Sequence, residues 1–179
     1  MRCALMDLLD GEVCLPPSEG TAGYWVKRGS GCAQSTLDVQ FAATRNDVAH
    51  IQHDMAQRGI TDVLVQAHVT GDVLKCYGVR GTSFFRAFYP SDDGVSKFGD
   101  ERRNGPSHHY TYDAGLLREQ TERVADRCSL DIYGTDYIIR PDGVPVLIDL
   151  NDWPSYSRCR DEAAEAIARR IIQRLNNEN

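Results

Sequence analysis

The 179-residue sequence lacks most of the features that would assign it to a class at a glance. No apolar run approaches the roughly 20 residues that a bilayer-crossing helix needs, and the opening stretch from Met1 to Gly11 carries acids where a secretory signal would carry a longer apolar run. A cytoplasmic protein with no membrane partner is expected. Positive charge is in deficit, with 20 Lys and Arg against 26 Asp and Glu and a formal net charge of -6, so no nucleic-acid partner is expected and any phosphate must be met locally. The six cysteines form no CxxC pair and the five histidines have no finger-like spacing, so neither a disulfide framework nor a zinc site is signalled. Cys32 lies in a glycine-rich stretch, yet no His or Asp partner can be placed beside it, and it reads as a thiol without a catalytic role. That stretch lacks the Gly-Lys-Ser/Thr of a Walker A loop, and the next element reads as a strand, which excludes a Rossmann fingerprint.

The size suits one compact domain or two small lobes. Residues 1–9 resemble the end of a helix, so the chain opens as though it continued an earlier element. Tyr24 to Val26 and Val39 to Ala43 read as strands on either side of a flexible loop from Gly29 to Thr36. Thr44 and Asp47 form a capping-box start, and Val48, Ile51 and Met55 keep helical spacing as far as Gly59. Further strands are expected at Asp62 to Ala67, Val73 to Val79 and Ser83 to Tyr89, the last two joined through Arg80, Gly81 and Thr82. Pro90 to Tyr112 is long, polar and aperiodic, and is expected to be mobile near a site mouth, with His108 and His109 as acceptor contacts. Asp113 caps a helix carrying Leu117, Val124, Ala125 and Cys128. A hairpin of Ile132 to Ile139 and Val144 to Asn151 precedes a closing amphipathic helix. Without regular βαβ alternation, the order predicts an α+β fold with antiparallel sheets.

Three constellations carry chemistry. On the last hairpin Asp149 and Asn151 are two apart and share a strand face, and Asp136 on the preceding strand can lie opposite. Three oxygen donors of this kind suit Mg²⁺, a hard cation that takes one or two carboxylates together with substrate phosphates; the alternative is a solvated strand end. Lys27 ends a strand directly before Gly29, Ser30 and Gly31, where backbone N–H groups approach phosphate and a lysine adds charge, although most lone glycine loops are only turns. The segment from Val63 to Val79 runs from strand through polar linker to strand and carries Asp72 and Lys75, with Arg86 on the returning hairpin; each reads as cleft-lining or as a solvated charge.

These segments, in this order from Tyr24 to Asn151, resemble the ATP-grasp superfamily. The resemblance implies two α+β lobes clasping a nucleotide, the first at 1–69 with its lead-in helix and the second at 70–179 with the metal site. It implies that Lys27, Gly29, Ser30 and Gly31 touch the nucleotide phosphates. Gln66, Ala67, His68 and Val69 fit the linker that holds adenine by backbone groups, and Asp72 fits the acid that meets the ribose. Asp136, Asp149 and Asn151 match the Mg²⁺ ligands, Lys75 and Arg86 the catalytic cations, with Arg86 at the γ-phosphate. Gln66 and Asp149 each stand where a glutamate is commoner.

The resemblance further implies a Mg-ATP-dependent ligase that joins a small-molecule carboxylate to an amine through an acylphosphate. Phosphoryl transfer needs positioning and charge neutralisation more than a protein nucleophile, which agrees with the lack of a Ser/His or Cys/His pair. The Asp149 to Tyr156 run resembles inositol phosphate kinases, so a small-molecule kinase is the alternative, beside a non-catalytic nucleotide-binding module and an α+β domain with an incidental acidic hairpin. Members of the superfamily carry a further α/β domain in front, and a homodimer or a partner chain replacing it is expected here.

Overall fold

The computed structural model describes residues 22–31, 33–93 and 103–177. The lead-in helix expected at 1–9 and Cys32 lie outside the described residues. The described chain divides into two compact units with the break between Val69 and Thr70.

The first unit contains β1 (Tyr24–Arg28), β2 (Val39–Ala42), α1 (Arg45–Gln57) and β3 (Val63–Ala67). Its antiparallel sheet has the order β2-β1-β3. Alternation decides the faces: Tyr24 and Val26 are buried with Ala42, Met55 and Ile60, and Val48, Ile51, Val63 and Val65 pack around them. α1 begins in the expected capping box, where the Thr44 hydroxyl accepts the Asp47 N–H at 3.1 Å and the Asp47 carboxylate accepts the Thr44 N–H at 2.9 Å. Such a cap is worth about 1 kcal/mol. The loop after β1 is built around Asp38, whose buried carboxylate accepts the Gln34 N–H at 2.8 Å and pairs with Arg58. The Gln34 bond first, and then Arg58, hold its carboxyl down at about 2.

The second unit contains β4 (Asp72–Val79), β5 (Phe85–Phe88), α2 (Ala114–Arg127), β6 (Ile132–Ile139), β7 (Pro145–Asp152) and α3 (Arg160–Asn177). Its antiparallel sheet has the order β5-β4-β6-β7. α2 starts at Asp113, which accepts the Leu116 N–H at 2.9 Å, and seats Leu117 among Leu74, Cys76, Tyr137 and Ile139. Burial there pushes the Cys76 thiol up to about 12, so it behaves as a small apolar group. α3 covers one end of the opposite face, where Ala163 and Ala166 close over Val79, Phe84 and Cys159. Asp131 ties α3 down by accepting from Arg80 at 2.9 Å, Arg170 at 2.6 Å and Arg174 at 2.8 Å. Among the described residues, no helix is long and apolar enough to cross a membrane.

The expected α+β architecture with antiparallel sheets is what the chain adopts. β3, β4 and β5 are consecutive in sequence, but β3 completes the first sheet and the other two belong to the second.

Candidate functional site

The second sheet carries its charge on the face opposite α2. Register places Phe88, Lys75, Asp136 and Asp149 in one cross-strand row, and Arg86, Tyr77, Gly134 and Asn151 in the next row on the same face. Lys75 Nζ donates to Asp136 Oδ2 at 2.8 Å, and Asn151 Nδ2 donates to Asp149 Oδ2 at 2.9 Å. Two carboxylates directly opposite each other repel unless a cation lies nearby, and Lys75 is one such cation.

A β-bulge makes the row. Asp136 pairs with Asp149 while Tyr137 pairs with Leu147, so Ile148 is the extra residue on β7. Strict alternation would put Leu147 and Asp149 on one face. The bulge instead sends Leu147 to the core beside Tyr137 and turns Asp149 and Asn151 toward Lys75.

Two expected residues have other work in this structure. Asp72 alternates with Lys75 and lies on the α2 side, its side chain fully buried. It accepts the N–H of His108 at 2.8 Å and of Tyr110 at 3.0 Å, and meets His108 Nδ1 at 3.2 Å. Burial raises its carboxyl, and these bonds more than reverse that, so it stays below the ordinary aspartate value. Asp72 therefore anchors residues 108–110 and has no surface to offer a ribose. The described end of the loop expected to move is tied down, and residues 94–102 lie outside the described residues. Arg86 shares the face of Lys75, but its guanidinium pairs with Glu162 of α3 and lies 5.6 Å from the Phe84 ring centre, turned toward the helix.

In the first unit, Lys27, Trp25 and Gln66 lie on the sheet face opposite α1, since Trp25 pairs with Gln66 and Lys27 with Leu64. Trp25, Phe41 and His68 cluster there with ring centres 5.5 to 6.3 Å apart, and Trp25 Nε1 donates to His68 Nδ1 at 3.2 Å. The His68 N–H is given to Gly23 O at 2.9 Å. Gly29 is fixed by packing: its N–H donates to Asp62 O at 2.7 Å, and a Cβ would lie 2.5 Å from Asp62 Oδ1. Ser30 and Gly31 stand exposed at the tip of the loop.

Two further residues stand beside the row, Tyr77 and Arg158. Burial raises the Tyr77 phenol, Lys75 lowers it, Asp136 raises it and Arg158 lowers it, so these charges all lie within its electrostatic reach. The Arg158 guanidinium stands 5.7 Å from the ring centre of Phe88, the cross-strand partner of Lys75. A basic residue just beyond the Asp149 to Tyr156 run was the available signal.

Among the described residues no three His, Cys, Asp or Glu side chains gather as a metal cage. Asp136, Asp149 and the Asn151 amide oxygen form a hard-donor set with two carboxylates. This suits Mg²⁺ completed by phosphate oxygens and does not suit zinc or a dedicated calcium site.

No protein-family model and no curated protein sequence matches the chain. Solved structures do. The D-alanine-D-alanine ligase from Coxiella burnetii superposes with a TM-score of 0.54 at 11% identity, covering 90% of this chain and 50% of that one. D-alanyl-alanine synthetase A from Vibrio cholerae O1 biovar eltor gives 0.57 at 14% identity, covering 87% and 52%. The ATP-grasp ligase PsnB, solved with a precursor peptide and AMPPNP, gives 0.50 at 15% identity, covering 92% and 56%. The chain thus spans about half the length of these proteins, and at such identities the likeness establishes the fold, which is the ATP-grasp fold.

Proposed function

We propose that the charged face of the second sheet is a Mg-ATP phosphoryl-transfer site, and that the chain is the nucleotide-binding module of a carboxylate–amine ligase. The observation that carries this reading is the bulge-made row Lys75, Asp136, Asp149, with Asn151 one row on, in a chain with the ATP-grasp fold. Asp149, Asn151 and Asp136 would hold Mg²⁺. Lys75, already beside Asp136, would neutralise phosphate charge as it moves during transfer.

Mg-ATP supplies an activated phosphoryl group whose charge the metal offsets. The acceptor's carboxylate oxygen bonds to the γ-phosphorus as the bond to the β–γ bridging oxygen breaks, and ADP leaves. An amine nitrogen then bonds to the acyl carbon, the carbon–oxygen bond to phosphate breaks, and the nitrogen loses a proton. No residue of the row has to act as a nucleophile.

The run that resembles inositol phosphate kinases has a packing explanation. Pro154 occupies the space above Gly134, where a Cβ would lie 2.7 Å away, and Tyr156 OH donates to Gly78 O at 3.1 Å. Titration calorimetry tests the site: Asp149→Asn is expected to weaken Mg-dependent ATP binding about tenfold and to leave metal-free binding unchanged. Equal loss in both conditions would reject the metal role.

A further inference from the structure

We propose that Glu162 of α3 acts as a latch on Arg86, holding its guanidinium off the charged face until a polyanion there competes for it. This regulation deepens the phosphoryl-transfer reading of the charged face and rests on it.

Strand alternation puts Arg86 on that face. Phe85 and Ala87 pack on the α2 side with Leu74 and Cys76, so Arg86 and Phe88 belong to the other side, paired with Tyr77 and Lys75. Lys75 is thus a diagonal neighbour of Arg86 across the β4 and β5 pair, at about 7 to 8 Å, a separation that a long side chain spans. The guanidinium does not use that reach. It pairs with the Glu162 carboxylate, donates from Nη1 to Phe85 O at 2.8 Å, and lies over the Phe84 ring.

Glu162 is held in place by the helix and not by Arg86. The next residue, Ala163, is buried with Ala166 against Val79 and Phe84, and Arg170 and Arg174 tie the far half of α3 to Asp131. A carboxylate in the first turn is also favoured by the helix dipole, so Glu162 keeps a stabilising environment when Arg86 leaves it. The acid one turn along, Glu165, pairs with Arg169. Glu162 is therefore the α3 carboxylate that answers Arg86.

The contact is easily exchanged. Its two side chains are 44% and 54% exposed, and they border an open cleft of about 150 Å³ shared with Ser83, Glu165 and Arg169. An ion pair that water and salt reach contributes little to stability, and α3 is already fixed by its alanines and by Asp131. What the pair does change is the charge that the face presents. With Arg86 compensated by Glu162, Lys75 stands against Asp136 and Asp149; with Arg86 released, a second cation joins it and the face attracts phosphate more strongly.

The test uses the whole chain as wild type, Glu162→Gln, Arg86→Gln and the double variant. Each is checked for native fold by circular dichroism and titrated with Mg-ATP by calorimetry, and the Arg86 Nε–Hε resonance is followed by NMR without ligand and at saturation. We expect Glu162→Gln to shift that resonance in the ligand-free protein, and Mg-ATP to move the wild-type resonance in the same direction. Glu162→Gln should tighten Mg-ATP about threefold, and should leave the affinity unchanged when Arg86→Gln is already present. Glu165→Gln removes an equal charge one turn along and should leave the affinity as in wild type. Tightening that persists without Arg86, or that Glu165→Gln reproduces, is a general charge effect and overturns the latch. A Glu162→Gln variant that binds Mg-ATP as wild type does, or more weakly, overturns it as well. Wild-type protein that does not bind Mg-ATP overturns the underlying reading and the latch with it, and that failure appears without any substitution.

Discussion

The two faces of the second sheet are made by alternate residues of the same strands, yet they answer to different constraints. Toward α2, Leu74, Cys76, Tyr137 and Ile139 surround Leu117, and the Asp72 carboxylate has both oxygens engaged by 108–110. Toward the other side, Lys75, Asp136, Asp149 and Asn151 stand in adjacent positions, where opposed carboxylates gain nothing for the fold. A face that packing explains needs no ligand. A face that packing does not explain, and that a bulge was required to build, is where function is sought.

Substitutions should separate the faces. Leu117→Ala is expected to cost about 3 kcal/mol in urea unfolding, because Leu117 is fully buried, and to leave Mg-ATP affinity of the folded protein unchanged. A loss of affinity without a loss of stability would erase the distinction.

Asp72→Asn should cost about 2 kcal/mol, since charge-assisted bonds to two backbone N–H groups are weakened in a buried place. Because the carboxyl of Asp72 lies below the usual aspartate value when folded, its contribution is complete above about pH 4 and disappears as pH falls through the folded value. The stability difference between wild type and Asp72→Asn should therefore be flat from about pH 5 to 7 and shrink in acid. A difference that grows in acid would contradict the assignment of Asp72 as the anchor.

Asp149→Asn should have the smallest effect on stability, within about 0.5 kcal/mol, because the side chain is exposed at the end of its row. It is the substitution that should matter most for metal-dependent nucleotide binding. A stability loss as large as that of Leu117→Ala would show the row to be structural.

Much of this fold is legible in the sequence because its signals are local. The Thr44/Asp47 box and the Asp113 cap state their geometry within a few residues. The cross-strand row is legible in its composition but not in its making, since alternation alone assigns Leu147 and Asp149 to one face and nothing in Leu147-Ile148-Asp149 announces a bulge. Asp72 misleads for a similar reason. An acid at a strand start reads as exposed, and only the return of His108 and Tyr110, 36 and 38 residues later, buries it. Arg86 and Arg158 can be weighed only once α3 and the Trp153 to Cys159 segment are placed, which brings Glu162 to the first and Phe88 to the second. Long-range partners, not local propensity, decide where these charged side chains are held.

Whether a metal and its nucleotide sit on the charged face of the second sheet can be read by replacing Mg²⁺ with Mn²⁺ in the presence of ATP and mapping paramagnetic broadening of assigned amide resonances. Strong broadening is expected at Gly134, Asp136, Asp149 and Asn151, dependent on ATP and abolished by excess Mg²⁺, with Thr121 and Val124 on α2 little affected. Broadening centred elsewhere, or none in a folded protein with Mn²⁺ and ATP in excess, would contradict that placement.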